Sequence, residues 1–132
     1  MTEPPPLLLD SSVLIAHQRP NPDPEVFRRV EEAIMGRRAA TCAVVVAEVL
    51  SGARARQEYA ELMYSLGSLR WLDTTDECWL RAAALGFNLR RQGITVPLTD
   101  RLVLTISRVH GVELLHCDSH YDLMADVPDE VA

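Results

Sequence analysis

Lysine is absent from this sequence of 132 residues, and all 13 of its basic residues are arginine. Aspartyl-phosphate enzymes of the haloacid-dehalogenase type and phosphoacceptor receiver domains both need a lysine, so both classes are disfavoured. Arginine suits phosphate contacts because its planar fork binds in a bidentate manner, but a codon-biased genome would give the same composition. The net charge of −6 argues, taken alone, against nucleic-acid binding. Charge therefore decides little about function.

Cysteine and long apolar runs are also scarce. Cys42, Cys78 and Cys117 are widely separated, which excludes a Cys-x-x-Cys zinc ribbon and a complete disulfide framework and favours a reducing cytoplasm. No segment is long and apolar enough to span a membrane, and Met1–Pro6 has neither the basic nor the apolar region of a signal peptide. We therefore expect a cytoplasmic protein with no membrane association.

Strands and helices alternate along the predicted chain, which we expect to fold as one domain over residues 1–132. The predicted strands are Leu7–Leu9, Ala39–Thr41, Leu69–Leu72 and Val112–Cys117, with a weaker fifth strand at the sheet edge near Val127. The predicted helices cover 11–17, 25–36, a stretch that carries Glu48 and stops near Gly52, 59–67, 74–93, 99–110 and 121–125.

Helix ends are predicted at three places. Gly36 is expected at the C′ position of the second helix. Thr74 followed by Glu77 is expected to form a capping box, and Thr99 is expected to be the N-cap of the helix after it.

The order of elements favours an α/β fold. The strands are apolar throughout instead of alternating between apolar and polar residues, which is typical of a parallel sheet covered on both faces. We therefore predict a three-layer α/β/α sandwich with a central parallel sheet of four or five strands. Ligands of such sheets bind beyond the carboxyl ends of the strands.

Four acidic residues fall where this arrangement would bring them to one edge of the sheet. Asp10 and Asp118 end two of the apolar strands, Glu48 lies inside an apolar helix, and Asp100 opens another helix. A carboxylate at the end of a buried segment costs desolvation unless positive charge neutralises it. The group predicts a site for a hard divalent cation, Mg²⁺ or Mn²⁺, bound by oxygen ligands only.

Such a site supports phosphodiester hydrolysis, because the metal lowers the pKa of a bound water and stabilises charge on the leaving oxygen. Asp10 and Asp118 are the expected direct ligands. Asp100 is expected to be a ligand or to position the water, and Glu48 to be a ligand through water or a base. Three hydroxyl side chains are expected to orient these carboxylates: Ser11, Ser12 and Thr99.

Four motifs in sequence order resemble those of PIN domains. They are Leu7-Leu8-Leu9-Asp10-Ser11-Ser12, Ala47-Glu48-Val49-Leu50-Ser51-Gly52, Pro97-Leu98-Thr99-Asp100-Arg101, and Leu114-Leu115-His116-Cys117-Asp118-Ser119-His120. The resemblance covers nearly the whole chain. A chain of this length without an appended domain is similar to the VapC toxins of bacterial toxin–antitoxin pairs.

The resemblance implies a Mg²⁺- or Mn²⁺-dependent endoribonuclease that inhibits translation by cutting RNA such as tRNA or rRNA. It also implies a cognate antitoxin and, commonly, a homodimer of the toxin. The acids that this family uses carry over onto Asp10, Glu48, Asp100 and Asp118. Many relatives have a further acid two residues after the fourth motif's Asp, where this chain has His120. Asp122, two residues later still, is one possible further member of the site. His120 is the other, because it would sit close to Asp118, although a surface or packing role explains it more simply than a role as a base.

Other interpretations of the same residues stay open at this point. Asp10 and Asp100 are also what ordinary helix starts look like, Glu48 fits an exposed flank, and Asp118 fits a turn. A PIN-like module that binds RNA or a protein without cutting is the main alternative function, and retention of all four acids favours the enzyme. Three arginines adjacent to the motifs are candidates for RNA phosphate contact: Arg54, Arg56 and Arg101.

Overall fold

The computed structural model describes residues 3–132; Met1 and Thr2, the start of the segment examined for a signal peptide, lie outside the described residues. The strands are β1 (Leu7–Leu9), β2 (Ala39–Cys42), β3 (Arg70–Leu72) and β4 (Glu113–Leu115). The helices are α1 (Ser11–Gln18), α2 (Pro24–Met35), α3 (Ala43–Ser51), α4 (Arg56–Gly67), α5 (Asp76–Arg91), α6 (Leu98–His110) and α7 (His120–Met124). The predicted alternation of strands and helices is confirmed.

All strand pairs in the sheet are parallel, and the strand order is β3-β2-β1-β4. Leu9 pairs with Leu115 at the carboxyl ends of β1 and β4, and the Asp10 backbone N–H extends this pairing by donating to the Leu115 carbonyl at 3.0 Å. The chain steps outward from β1 to β3 and then returns past β1 to form β4. This reversal opens a crevice at the carboxyl ends of β1 and β4, where parallel sheets bind ligands.

The core forms around the central strand β1. Leu7, Leu8 and Leu9 are all buried, as expected for a strand that is covered on both faces. Fully burying a leucine side chain contributes about 1.5–3 kcal/mol, so this three-residue strand is held by packing more than by its short length of pairing. Helix side chains complete the core, among them Val13, Val30, Val45, Leu85, Leu89, Leu102 and Ile106.

The predicted end of α2 was wrong by one residue. Gly36 has φ −82°, and Arg37 is the left-handed residue after α2, with φ 56°. Arg37 and Arg38 donate backbone N–H groups to Ile34 and Ala33, which satisfies the last carbonyls of the helix whatever the side chain at position 37.

The N-caps were also misplaced. Thr75, not Thr74, caps α5 and accepts from the Cys78 backbone N–H. Pro97 precedes α6, so Thr99 lies inside the first turn. The choice between neighbouring threonines depends on where the chain leaves the sheet, which local sequence does not specify.

No fifth strand forms within residues 3–132, and Val127 instead lies with a buried side chain in the segment after α7. Arg108 donates to the carbonyls of Met124, Ala125 and Val127, and its guanidinium also pairs with the buried carboxylate of Asp129. Arg108 thus supplies hydrogen bonds to backbone carbonyls of the segment that was expected to pair in the sheet as a fifth strand. No helix within residues 3–132 is long and apolar enough to cross a membrane.

Candidate metal centre

Asp10 lies directly after β1 and is 3% exposed. Its Oδ2 accepts from the Ser12 backbone N–H at 3.2 Å, which makes Asp10 the N-cap of α1, and from Ser12 Oγ at 2.5 Å. Its Oδ1 accepts from the Tyr121 hydroxyl at 2.8 Å. The capping interpretation and the site interpretation of Asp10 are therefore compatible, because three donors fix a carboxylate that stands at the crevice.

Ser12 links the two neighbouring strands at this point. Its hydroxyl donates to Asp10 and accepts from the Cys117 backbone N–H at 3.0 Å, which ties the start of α1 to the loop after β4. Ser11 donates to Glu48 Oε1 at 3.3 Å and so connects α1 to α3. Both serines therefore donate to carboxylates of the predicted site.

His120 lies between the two remaining acids. Its ring Nδ1 is 2.7 Å from Asp100 Oδ2 and 3.2 Å from Asp118 Oδ1. Its backbone N–H also donates to Asp118 Oδ1 at 2.9 Å. Asp100, Asp118 and His120 each offer one ligand atom, and these three atoms lie within 4.8 Å of one another. The first turns of α6 and α7 therefore meet beyond the end of β4.

The electrostatics of the site show that the carboxylates crowd one another. Burial raises the pKa of Glu48, and the charge of Asp10 raises it further, with smaller effects from Asp100 and Asp118. Burial also raises the pKa of Asp100, although the hydrogen bond from His120 opposes this change. The hydrogen bond to Asp100 raises the pKa of His120. A bound divalent cation would offset this accumulation of negative charge.

Two predicted participants lie apart from the cluster. Thr99 is exposed in the first turn of α6, and no hydrogen bond within residues 3–132 joins it to a carboxylate, so the structure offers no support for its predicted role in orienting an acid. Asp122 is exposed in α7 and is not among the side chains that converge with Asp118. His120 occupies the place beside Asp118 for which Asp122 was the candidate.

Arg101 is engaged elsewhere. Its guanidinium donates to the carbonyls of Ala82 at 2.7 Å and Val96 at 3.1 Å, and burial lowers its pKa. It fastens α6 to α5, and this position argues against the predicted phosphate contact.

Arg54 and Arg56 are both exposed, Arg54 between α3 and α4 and Arg56 at the first position of α4. Arg54 lines a cleft of about 460 Å³ that Glu48 also lines. Arg19, which the sequence reasoning missed, lines the same cleft. Within residues 3–132 neither Arg19 nor Arg54 has an acidic side chain paired with its guanidinium. The cleft thus presents two arginines beside Glu48 and a second acid, Glu58, which accepts from the Arg54 backbone N–H.

Tyr121 is the other residue that sequence reasoning missed. It is buried, and burial together with the charge of Asp10 raises the pKa of its hydroxyl, so the hydroxyl stays protonated as a donor to Asp10. The only signal in the sequence was its place three residues after Asp118, one helical turn along the chain.

The residues present fit a divalent cation. Asp10, Glu48, Asp100 and Asp118 supply carboxylate oxygens. Burial raises the pKa of Glu48 and of Asp100, and the charges of the neighbouring acids raise both further. Hard cations bind such oxygens. The His120 ring adds a nitrogen to a donor set that the sequence predicted to consist of oxygen alone.

Residues 7–127 match the family model of the PIN domain, and the chain belongs to this family. It is similar to Ribonuclease VapC11 of Mycobacterium tuberculosis, with 29% identity over 126 residues that cover 92% of each chain. Its fold is similar to VapBC2 from Rickettsia felis bound to a promoter DNA fragment, with 16% identity, a TM-score of 0.72 and coverage of 92% of this chain and 95% of that one. It is also similar to a toxin–antitoxin complex from Klebsiella pneumoniae, with 19% identity, a TM-score of 0.65 and coverage of 96% of each chain.

Proposed function

We propose that this chain is a Mg²⁺- or Mn²⁺-dependent endoribonuclease that acts as the toxin of a toxin–antitoxin pair and inhibits translation by cutting RNA such as tRNA or rRNA. The observation that carries the proposal is the convergence of Asp100, Asp118 and His120 in a PIN fold, near Glu48, whose pKa the charges of Asp10, Asp100 and Asp118 raise. The similarity to a VapC ribonuclease over 92% of the chain supports the RNA-cutting activity.

In this proposal Asp10, Asp100 and Asp118 hold the cation, and Glu48 acts through a water or as a base. A bound Mg²⁺ or Mn²⁺ would lower the pKa of its water and stabilise charge on the leaving oxygen of the phosphodiester. Ser12 and Tyr121 keep the Asp10 carboxylate in one orientation by donating to its two oxygens, and Ser11 does the same for Glu48. Such outer hydrogen bonds reduce the reorganisation that binding requires.

The cleft beside Glu48 is proposed to bind the RNA backbone. Arg19 and Arg54 line it without acidic partners, and Arg56 lies in the adjoining segment at the start of α4. Phosphate contacts supply most of the sequence-independent affinity for nucleic acid, so these arginines are the proposed phosphate partners, although Glu48 and Glu58 line the same cleft. Which base sequence is cut would then depend on contacts made beyond this cleft.

The proposed partners are a cognate antitoxin and a second copy of the chain, in the cytoplasm. The antitoxin is supported by the fold similarity to toxin–antitoxin complexes. The homodimer and the cytoplasmic location rest on the resemblance of the sequence to VapC toxins and on its sparse, dispersed cysteines.

A PIN-like module that binds RNA or protein without cutting is the alternative. Such a module has no need for these four acids. Burial, together with the charges of the other acids, raises the pKa of Glu48 and destabilises the ionised site. Their retention favours the nuclease.

The test is cleavage of total cellular RNA by antitoxin-free protein with Mg²⁺ or Mn²⁺, beside the variant Asp100→Asn. We expect discrete, metal-dependent products, and a loss of rate by more than about 100-fold in the variant, since even outer-shell partners of metals are worth 10–100-fold. The exposed Asp126→Asn is the matched control and should cut normally.

Cleavage by Asp100→Asn at the wild-type rate would show that the site is assigned to the wrong residues. Failure of folded wild-type protein to cut, together with a melting temperature unchanged by saturating Mg²⁺ or Mn²⁺, would favour the binding module.

A further inference from the structure

The donor set of the crevice contains a nitrogen that a site made of acids alone would lack. His120 stands two residues after Asp118, at the first position of α7. Its Nδ1 faces Asp100 and Asp118 at 2.7 Å and 3.2 Å. Adjacent ligand atoms on an octahedral ion with bonds of about 2.1 Å lie about 3 Å apart. Nδ1 donates to Asp100 when no ion is bound, so it must give up that proton to bind one. Its spacing from both acids is close to that of a ligand that shares one ion with them.

Local structure fixes the position of this ring. Asp118 Oδ1 accepts from the backbone N–H of His120, so the residue that offers the ligand oxygen also orients the start of α7. Tyr121, the next residue, is buried and anchored on Asp10. The backbone at His120 is thus held by contacts with Asp118 and, through Tyr121, with Asp10. The His120 side chain itself remains 40% exposed.

We propose that His120 is a nitrogen ligand of the metal at this site, and that it makes the protein prefer a first-row transition ion such as Mn²⁺ over Mg²⁺. Mg²⁺ takes oxygen ligands and dehydrates reluctantly, whereas the affinity of imidazole-containing sites rises along the first-row series from Mn²⁺ upward. This inference rests on the proposed function, because it assumes that the crevice is the metal site of a nuclease.

The first measurement is calorimetric binding of Mn²⁺ and of Mg²⁺ to the wild-type protein and to His120→Asp. The substitution restores an all-oxygen donor set, so we expect the ratio of the Mn²⁺ to the Mg²⁺ association constant to fall by about tenfold. His120→Asn, which removes the ring without adding a charge, serves as a second variant in case the extra carboxylate disturbs folding. In that variant we expect Mn²⁺ affinity to fall more than Mg²⁺ affinity.

The second measurement is spectroscopic and does not depend on activity. Electron spin-echo spectra of bound Mn²⁺ should show coupling to a directly bonded nitrogen in the wild-type protein, and the coupling should vanish in His120→Asn. His110→Asn is the matched control, because the His110 ring bonds to the Asp73 carbonyl and its substitution should leave the signal intact.

Absence of nitrogen coupling in wild-type protein that binds Mn²⁺ and cuts RNA would overturn this inference alone, and His120 would then act only as a hydrogen-bond donor to Asp100. An unchanged ratio of metal affinities in both variants would overturn it as well. Failure of the wild-type protein to bind either ion would count against the metal-dependent nuclease itself and, with it, against this ligand.

Discussion

At the scale of the residue, the four acids of the site are held in different ways. Asp10 accepts three hydrogen bonds, so protein donors take the place of water around its carboxylate. Glu48 receives one, from Ser11, and lies among other carboxylates. Substitution of Asp10 by asparagine would turn an amide group toward the donors of Ser12 or Tyr121, whereas Asp100 accepts from His120 alone among the described side chains. Asp100→Asn is therefore the cleaner test of catalysis.

Glu48 gives a prediction about stability and pH. Burial raises its pKa above the ordinary value of 4.5, so the folded state binds the proton more tightly than the unfolded state does. The corresponding stability is complete below pH 4.5 and is lost as the pH rises through the raised pKa. In metal-free protein, Glu48→Gln should therefore melt at a higher temperature than wild type at about pH 7, and the difference should shrink toward about pH 4.

Thermal melts in chelator between about pH 4 and pH 8 measure this difference. Glu61→Gln removes an exposed carboxylate outside the site and controls for the general loss of one negative charge. A lower melting temperature for Glu48→Gln than for wild type at neutral pH would contradict the prediction. It would mean that the hydrogen bond from Ser11 outweighs the cost of burial and the repulsion from the other acids.

At the scale of the element, α5 and α6 are joined by a contact between a glycine and an arginine. A Cβ atom on Gly86 would collide with Nη1 of Arg101, so the guanidinium occupies the space that a larger side chain at this position would take. The arginine in turn bonds to the carbonyls of Ala82 and Val96. This contact places the first turn of α6, and with it Asp100, against α5.

Gly86→Ala should destabilise the protein by about 1–3 kcal/mol, because the guanidinium must leave its two carbonyls or the helices must separate. In an exposed helix the same change would stabilise by about 1 kcal/mol. Denaturant unfolding of Gly86→Ala in the wild-type and Arg101→Ala backgrounds measures the coupling. We expect the cost to disappear or reverse without the arginine; an equal cost in both backgrounds would refute the contact as its cause.

At the scale of the whole molecule, the distribution of charge matters more than its sum. Many arginines are engaged by acids or carbonyls, as for Arg28 with Glu25 and Glu32, or Arg108 with Asp129. Arg19 and Arg54 are left facing the cleft beside Glu48. A net charge of −6 therefore does not exclude a local surface for RNA.

Arg19→Gln and Arg54→Gln should each weaken RNA binding and reduce the slope of log affinity against log salt by about 0.7 for every arginine–phosphate pair removed. Binding of labelled RNA to these variants in the Asp100→Asn background, measured by fluorescence anisotropy at several salt concentrations, separates binding from cleavage. Arg37→Gln is the control, because Arg37 precedes β2 at the opposite edge of the sheet. Unchanged RNA affinity in both cleft variants would refute this role and leave the cleft to a protein partner.

The sequence by itself determined the alternation of strands and helices and the four acids, because apolar runs and helical spacing are local consequences of which side chains must be buried. Asp10 and Asp118 were predictable at the same end of the sheet, since they follow parallel strands that pair with each other.

Only the tertiary structure decided which side chains complete the site. The strand order places β4 beside β1, and this brings Tyr121 to Asp10 and His120 to Asp100. The same folding takes Arg101 into contact with Gly86 and carries Arg19 to the cleft of Glu48. No local pattern records these pairs, because their members are distant in sequence, by 111 residues for Asp10 and Tyr121, and meet only when the helices pack on the sheet.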